Sequence, residues 1–161
     1  MTATDFASEL PAEVADAFVA AIVTALQELV QLEAFPTGAG GPSRCTGPDG
    51  AICATVRLSR PVPSEMRLYL CVEFAARLAA RYVGEDVELS AEMVDDMAGE
   101  LANVVAGQVK TMLKGTPYHF MMTAPNVRRS DAFEVARPLA VVECEFGRLT
   151  VEVDLPPCPG S

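Results

Sequence analysis

Apolar residues recur at helical spacing near the start of the chain. Val14, Phe18, Ala21 or Ile22, Ala25, Leu29 and Leu32 share one face, which predicts a helix from Ala12 to Ala34. Pro11 precedes its first turn, where a missing N–H is not felt, and Pro36 ends it. Pro36–Gly50 has no apolar period and is rich in glycine and proline, so it reads as a loop. Its Gly38-Ala39-Gly40-Gly41 run lacks the Lys-Ser/Thr that completes a phosphate-cradling loop.

The period then changes to two. Ile52, Ala54, Val56 and Leu58 alternate with Cys53, Thr55 and Arg57, and Met66, Leu68 and Leu70 alternate with Glu65, Arg67 and Tyr69. Two strands, Ala51–Ser59 and Ser64–Val72, are therefore expected, joined as a hairpin through Arg60-Pro61-Val62-Pro63. A short helix follows over Glu73–Tyr82 and stops near Gly84. Ser90 caps a longer helix that runs to Lys114, with Gly115 as its stop. Pro117–Thr123, Ala132–Ala136, Leu139–Glu145 and Leu149–Leu155 read as strands, the last entered through a turn at Gly147. This order predicts an α+β fold with helices packed on one face of a mostly antiparallel sheet. Residues 1–161 are expected to form one domain with flexible tails at 1–11 and 156–161.

Composition narrows the partners. Half of the residues are apolar, enough for a core without staples. The formal net charge is -10, so nucleic acid and anionic lipid would be repelled. No basic residue precedes the first helix and no apolar run approaches a membrane span, which points to a cytoplasmic protein. The five cysteines, Cys45, Cys53, Cys71, Cys144 and Cys158, form no C-x-x-C pair and no disulfide framework. A single histidine, His119, has no second ligand at metal spacing and no triad to join. It reads as a strand histidine, Met93, Met97, Met112, Met121 and Met122 as core filling, and Arg128 and Arg129 as exposed loop cations.

The long helix is the informative element. At about 100° per residue, Asp96, Glu100, Asn103, Gly107, Lys110 and Lys114 fall within an arc of roughly 80°. Val94, Met97, Leu101, Val105, Val109 and Met112 form the opposite, core-facing stripe. Glu100 and Asn103, three residues apart, stand side by side toward solvent. Gly107 on the same face costs about 1 kcal/mol against alanine, which suggests close approach by another molecule.

The stretch Asp95-Asp96-Met97-Ala98-Gly99-Glu100-Leu101-Ala102-Asn103-Val104-Val105-Ala106-Gly107-Gln108-Val109-Lys110 resembles the signature helix of the CheC/CheX/FliY chemotaxis phosphatases. Asp96, Glu100 and Asn103 match its acidic, Glu and Asn positions, and Pro125 matches a proline that follows it. The opening helix, the strand pair and the Cys144-Glu145-Phe146-Gly147 turn follow the family order, so the resemblance runs from about Val14 to Leu155. The motif occurs once, which points to the single-motif CheX branch, whose members pair as homodimers through the sheet.

That resemblance implies a phosphatase acting on the aspartyl-phosphate of a CheY-like response regulator. Asn103 would orient the attacking water and Glu100 would pair with the receiver's lysine. Asp96, Gly107 and Lys110 would lie in the binding surface. The divalent ion would belong to the receiver, leaving this chain with no cofactor of its own. Two other readings stay open: a non-catalytic receiver-binding domain of the same fold, and a sensor or scaffold using the Pro36–Gly50 loop.

Overall fold

The computed structural model describes residues 10–38, 41–84 and 86–157. The expected tail 1–11 therefore lies outside the described residues except for Leu10 and Pro11. So do Ala39 and Gly40 of the glycine run, and Cys158 with the rest of 158–161.

Helix α1 (Ala12–Val30) leads into β1 (Ala34–Thr37) and β2 (Ser43–Ser59). Strand β3 (Ser64–Cys71) is followed by α2 (Val72–Val83) and α3 (Ala91–Met112). Strands β4 (Met121–Met122), β5 (Asn126–Val135), β6 (Ala140–Cys144) and β7 (Gly147–Asp154) complete the chain. The seven strands form one sheet in the order β1-β6-β7-β3-β2-β4, with β5 also paired to β2. Every pairing is antiparallel.

Val14, Phe18, Ile22 and Leu26 of α1, Phe74 and Leu78 of α2, and Leu101, Val105 and Val109 of α3 bury against one sheet face. That face supplies Ile52, Ala54, Val56, Leu58, Met66, Leu68 and Leu70, the inward positions of the expected alternation. The α+β arrangement and the β2–β3 hairpin thus follow the hydrophobic periods. Cys71 caps α2 by accepting from the Phe74 amide, and Ser90 Oγ caps α3 by accepting from the Met93 amide at 3.1 Å.

Several boundaries differ from expectation, each for a local reason. The first helix ends at Val30, not Ala34, because Gln31 adopts a left-handed conformation (φ 54°, ψ 43°) that turns the next amide, Leu32 N–H, back to the Leu26 carbonyl at 3.1 Å. Much of Pro36–Gly50 is strand rather than loop: Pro36 and Thr37 of β1 pair with β6, and Ser43–Thr46 pairs with Ala132–Val135, while Gly38, Gly41 and Pro42 lie outside the strands. This extension alternates between exposed and half-buried residues, so it lacks an apolar signal. Gly47 to Gly50 form a bulge rather than a turn. An added Cβ at Gly50 (φ 96°) would lie 2.8 Å from the Ser130 carbonyl oxygen.

Pro117–Thr123 contracts to β4, and His119 lies in the preceding turn segment, its carbonyl accepting from Arg60. Strand β5 begins at Asn126, six residues before the expected Ala132. At the other end of the chain, Pro156 is held by Arg60 Nη1, so this part of the expected tail is tied down.

A second, smaller apolar cluster lies on the sheet face away from the helices. Cys53 and Tyr69, opposite each other on β2 and β3, bury with Val135 against Cys45 and Phe133. The rings of Tyr69 and Phe133 are 5.8 Å apart. Beside them Arg67 donates to Glu152 at 3.0 Å, while Glu152 also accepts from Tyr69 and from the Arg137 amide.

Candidate functional site

Helix α3 is long because its sequence supplies a cap, helix formers and an apolar stripe over six turns. Val94, Met97, Leu101, Val105 and Val109 are buried as the projection required. Met112 is not: it is 46% exposed, and Leu113, the C-cap residue, takes the buried place. Met121 is exposed too, so the five methionines are not all core filling.

On the opposite face Asp96 and Glu100 are exposed, and Asn103, Gly107 and Lys110 are half-buried. All five predicted residues thus share the outward side of one helix. Among the described residues, the side chains of Asp96, Glu100 and Asn103 make no hydrogen bond or ion pair. Two carboxylates and a carboxamide stand on a rigid support with their polar atoms unspent. A Cβ at Gly107 would meet only Met122 Sδ, at 4.0 Å, so the space over this glycine is open.

The support is fixed from below. Gly99, immediately before Glu100, is buried; a Cβ there would lie 3.3 Å from Val127 Cγ2 and 3.5 Å from Pro125 Cγ. The proline singled out in sequence therefore sits under the turn that carries Glu100. Arg129 pins the first turns of α3, donating to Asp95 Oδ1 at 2.6 Å and to the Ala91 carbonyl at 3.1 Å. Arg128 instead lies 5.5 Å from the centre of the Phe133 ring. Neither arginine is a loop cation: both are on β5, and Arg129 holds the site helix in register.

A groove that sequence reasoning missed runs beside Glu100. It encloses about 320 Å³ between α2 and α3, lined by Ala79, Tyr82, Val83, Met93, Met97, Asp96 and Glu100. Tyr82 is 53% and Val83 39% exposed. The available signal was two large apolar residues following Arg81 at the end of an amphipathic helix. Among the described residues no three His, Cys, Asp or Glu side chains are grouped to hold a metal ion, and no helix is long and apolar enough to cross a membrane.

The family model described as "Chemotaxis phosphatase CheX" matches residues 52–146, more than half of the chain. The chain belongs to that family. It lies within the CheC/CheX/FliY superfamily of chemotaxis phosphatases. The matched span contains α2, α3 with Glu100 and Asn103, and the Pro125 segment. No curated protein matches the chain.

Among solved structures, the fold is similar to the chemotaxis protein CheX from Vibrio vulnificus (TM-score 0.72, 20% identity, covering 91% of this chain and 99% of that one). A CheX from Desulfovibrio desulfuricans is similar at TM-score 0.69 and 20% identity, covering 89% and 99%. A third is the CheX of a CheX–CheY–BeF3–Mg complex from Borrelia burgdorferi, at TM-score 0.60 and 18% identity, covering 88% and 96%. An α+β fold with helices packed against a curled antiparallel sheet, the CheC/CheX-like architecture, is common to them and to this chain.

Proposed function

We propose that this protein is a phosphatase that stimulates hydrolysis of the aspartyl-phosphate of a CheY-like response regulator. One observation carries the reading: Glu100 and Asn103 stand side by side on the outward face of α3 with no side-chain partner among the described residues. Family membership supports it, as does the fact that the similar Borrelia burgdorferi CheX is a complex with CheY.

An acyl phosphate is already activated, so the catalyst must chiefly place a water in line and stabilise charge. Asn103 suits that task because one carboxamide both accepts from and donates to a water, whereas a carboxylate there would repel the phosphoryl oxygens. The water oxygen attacks phosphorus, the bond to the receiver's aspartate breaks, and the carboxylate leaves as inorganic phosphate forms. Glu100 pairs with the receiver's lysine beside the phosphate and sets Asn103 in register. Asp96, Gly107 and Lys110 complete the docking face. The divalent ion sits in the receiver. The same reading places the protein in the single-motif CheX branch, as a cytoplasmic homodimer in which residues 1–161 form one domain.

Phosphate release from phosphorylated receivers is the direct test. Asn103→Ala is expected to lower stimulated release on the order of 100-fold or more while binding persists. Glu100→Ala is expected to weaken binding and turnover together. Release by Asn103→Ala at the wild-type rate would sink the assignment; a wild type that binds but never accelerates release would leave a non-catalytic receiver-binding domain.

A further inference from the structure

The apolar part of the groove between α2 and α3 is a feature the hydrolytic step does not use. Its floor and one wall are apolar, formed by Ala79, Tyr82, Val83, Met93 and Met97. Its other wall carries Asp96 and Glu100, and no cation lines it. Of the six large hydrophobic side chains exposed among the described residues, Tyr82 and Val83 face this groove and Val87 follows in the next segment. An exposed apolar concentration of this kind, rimmed by charge, is how interaction surfaces differ from ordinary surface.

Two physical constraints identify the occupant. Glu100 is at once a wall of the groove and the residue three before Asn103, about 4.5 Å along the helix axis. A receiver that engages Glu100 and Asn103 together therefore meets the edge of the groove at Glu100. Charge sets the second constraint. A purely apolar segment would strip water from Asp96 and Glu100 without replacing it, and an acidic segment would be repelled, in a chain of net charge -10. The segment must bring an apolar side chain and a cation.

Resting on the phosphatase reading above, we propose that this groove seats an aliphatic or aromatic side chain of the receiver, flanked by a lysine or arginine, and so determines which receivers are taken. Asn103 then supplies turnover, and Tyr82 and Val83 supply affinity and choice of partner.

The test is binding, measured separately from phosphate release. Receiver domains from the same cell, each loaded with beryllofluoride and Mg²⁺, are titrated with the full chain by calorimetry, and the tightest is carried forward. Tyr82→Ser and Val83→Ser are each expected to raise its Kd about tenfold, the effect of one lost anchor at a filled apolar site. Phe35→Ser, which removes an equally exposed ring from the far edge strand β1, is expected to leave Kd within about twofold. Both groove residues lie outside the buried core, so thermal unfolding should show the variants folded.

Wild-type Kd in both groove variants overturns the proposal, and if wild type still accelerates release, the phosphatase reading survives it. Weakened binding by a wild type that never accelerates release keeps the groove and removes the phosphatase. Loss of self-association with unchanged receiver binding would make the occupant a second copy, which also overturns it. So would the absence of binding to every receiver.

Discussion

Two polar clusters stand on opposite sides of this molecule and are built on opposite principles. On the sheet face away from the helices, Arg67 is only 16% exposed and pairs with Glu65, Glu152 and Asp154, while Glu152 also accepts from Tyr69 and the Arg137 amide. Every strong group there closes on a partner inside the chain. On the outward face of α3, the side chains of Asp96, Glu100 and Asn103 close on no partner among the described residues. Buried polar groups must be satisfied internally because an orphan costs about 1–3 kcal/mol, and more when charged. A site for another molecule must stay open, and an exposed helix face lets it do so at little cost. Charge density alone does not separate a functional cluster from a structural one; the state of its hydrogen bonds does.

The sharpest way to break this contrast is Arg67→Ala. It would leave Glu152 buried without its cation, with an expected loss of about 3–5 kcal/mol in urea unfolding. A loss below about 1 kcal/mol would mean that the network is no more structural than the open pair. Receiver binding at a temperature where the variant is folded should be unchanged, since the sheet and the main core lie between this network and α3's outer face.

The pH dependence of stability provides a smaller effect with a definite sign. Burial opposes ionisation of Glu152, but the Arg137 amide, the Arg67 guanidinium and the Tyr69 hydroxyl outweigh it and hold the carboxyl below its usual range. A carboxyl whose folded pKa is depressed contributes stability above its unfolded pKa, near ~4.3, and loses it as pH falls through the folded value. Wild type is therefore expected to exceed Glu152→Gln in stability at pH 7, with the gap narrowing on acidification below pH ~4. A gap that widens with acid would reverse the assignment.

The two clusters were not equally legible in sequence. Asp96, Glu100 and Asn103 share a helix, so a period of 3.6 placed them together before any coordinates. Arg67, Tyr69, Glu152 and Arg137 come from β3, β7 and the segment after β5, and only the antiparallel register of Arg67 with Glu152 joins them. The same limit hid β1 and the first half of β2. Their strands are specified by pairing with β6 and β5 rather than by an apolar alternation of their own. The α2–α3 groove depends on the packing of two helices, which neither helix's period reveals.

Gly107 tests whether the open face is kept open for a reason. A Cβ there meets nothing closer than Met122 Sδ at 4.0 Å, so Gly107→Ala is expected to stabilise the protein by about 1 kcal/mol in thermal unfolding. Phosphate release should fall if a receiver approaches the helix at this point. Higher stability with undiminished release would remove Gly107 from the docking face.

The smallest expected effect bears most directly on the contrast. Asn103 is a mediocre helix residue in the middle of α3 and its side chain bonds to nothing among the described residues, so Asn103→Ala should leave stability unchanged or raise it by up to about 0.5 kcal/mol. A structural carboxamide would behave in the opposite way, because its removal would orphan whatever it had satisfied. Asn103→Ala, measured by thermal unfolding beside its phosphate-release assay, therefore asks one residue two questions. Gain or neutrality in stability together with loss of turnover is the signature of a group held for a partner's chemistry, whereas a loss of 1 kcal/mol or more would put Asn103 in the same class as Glu152.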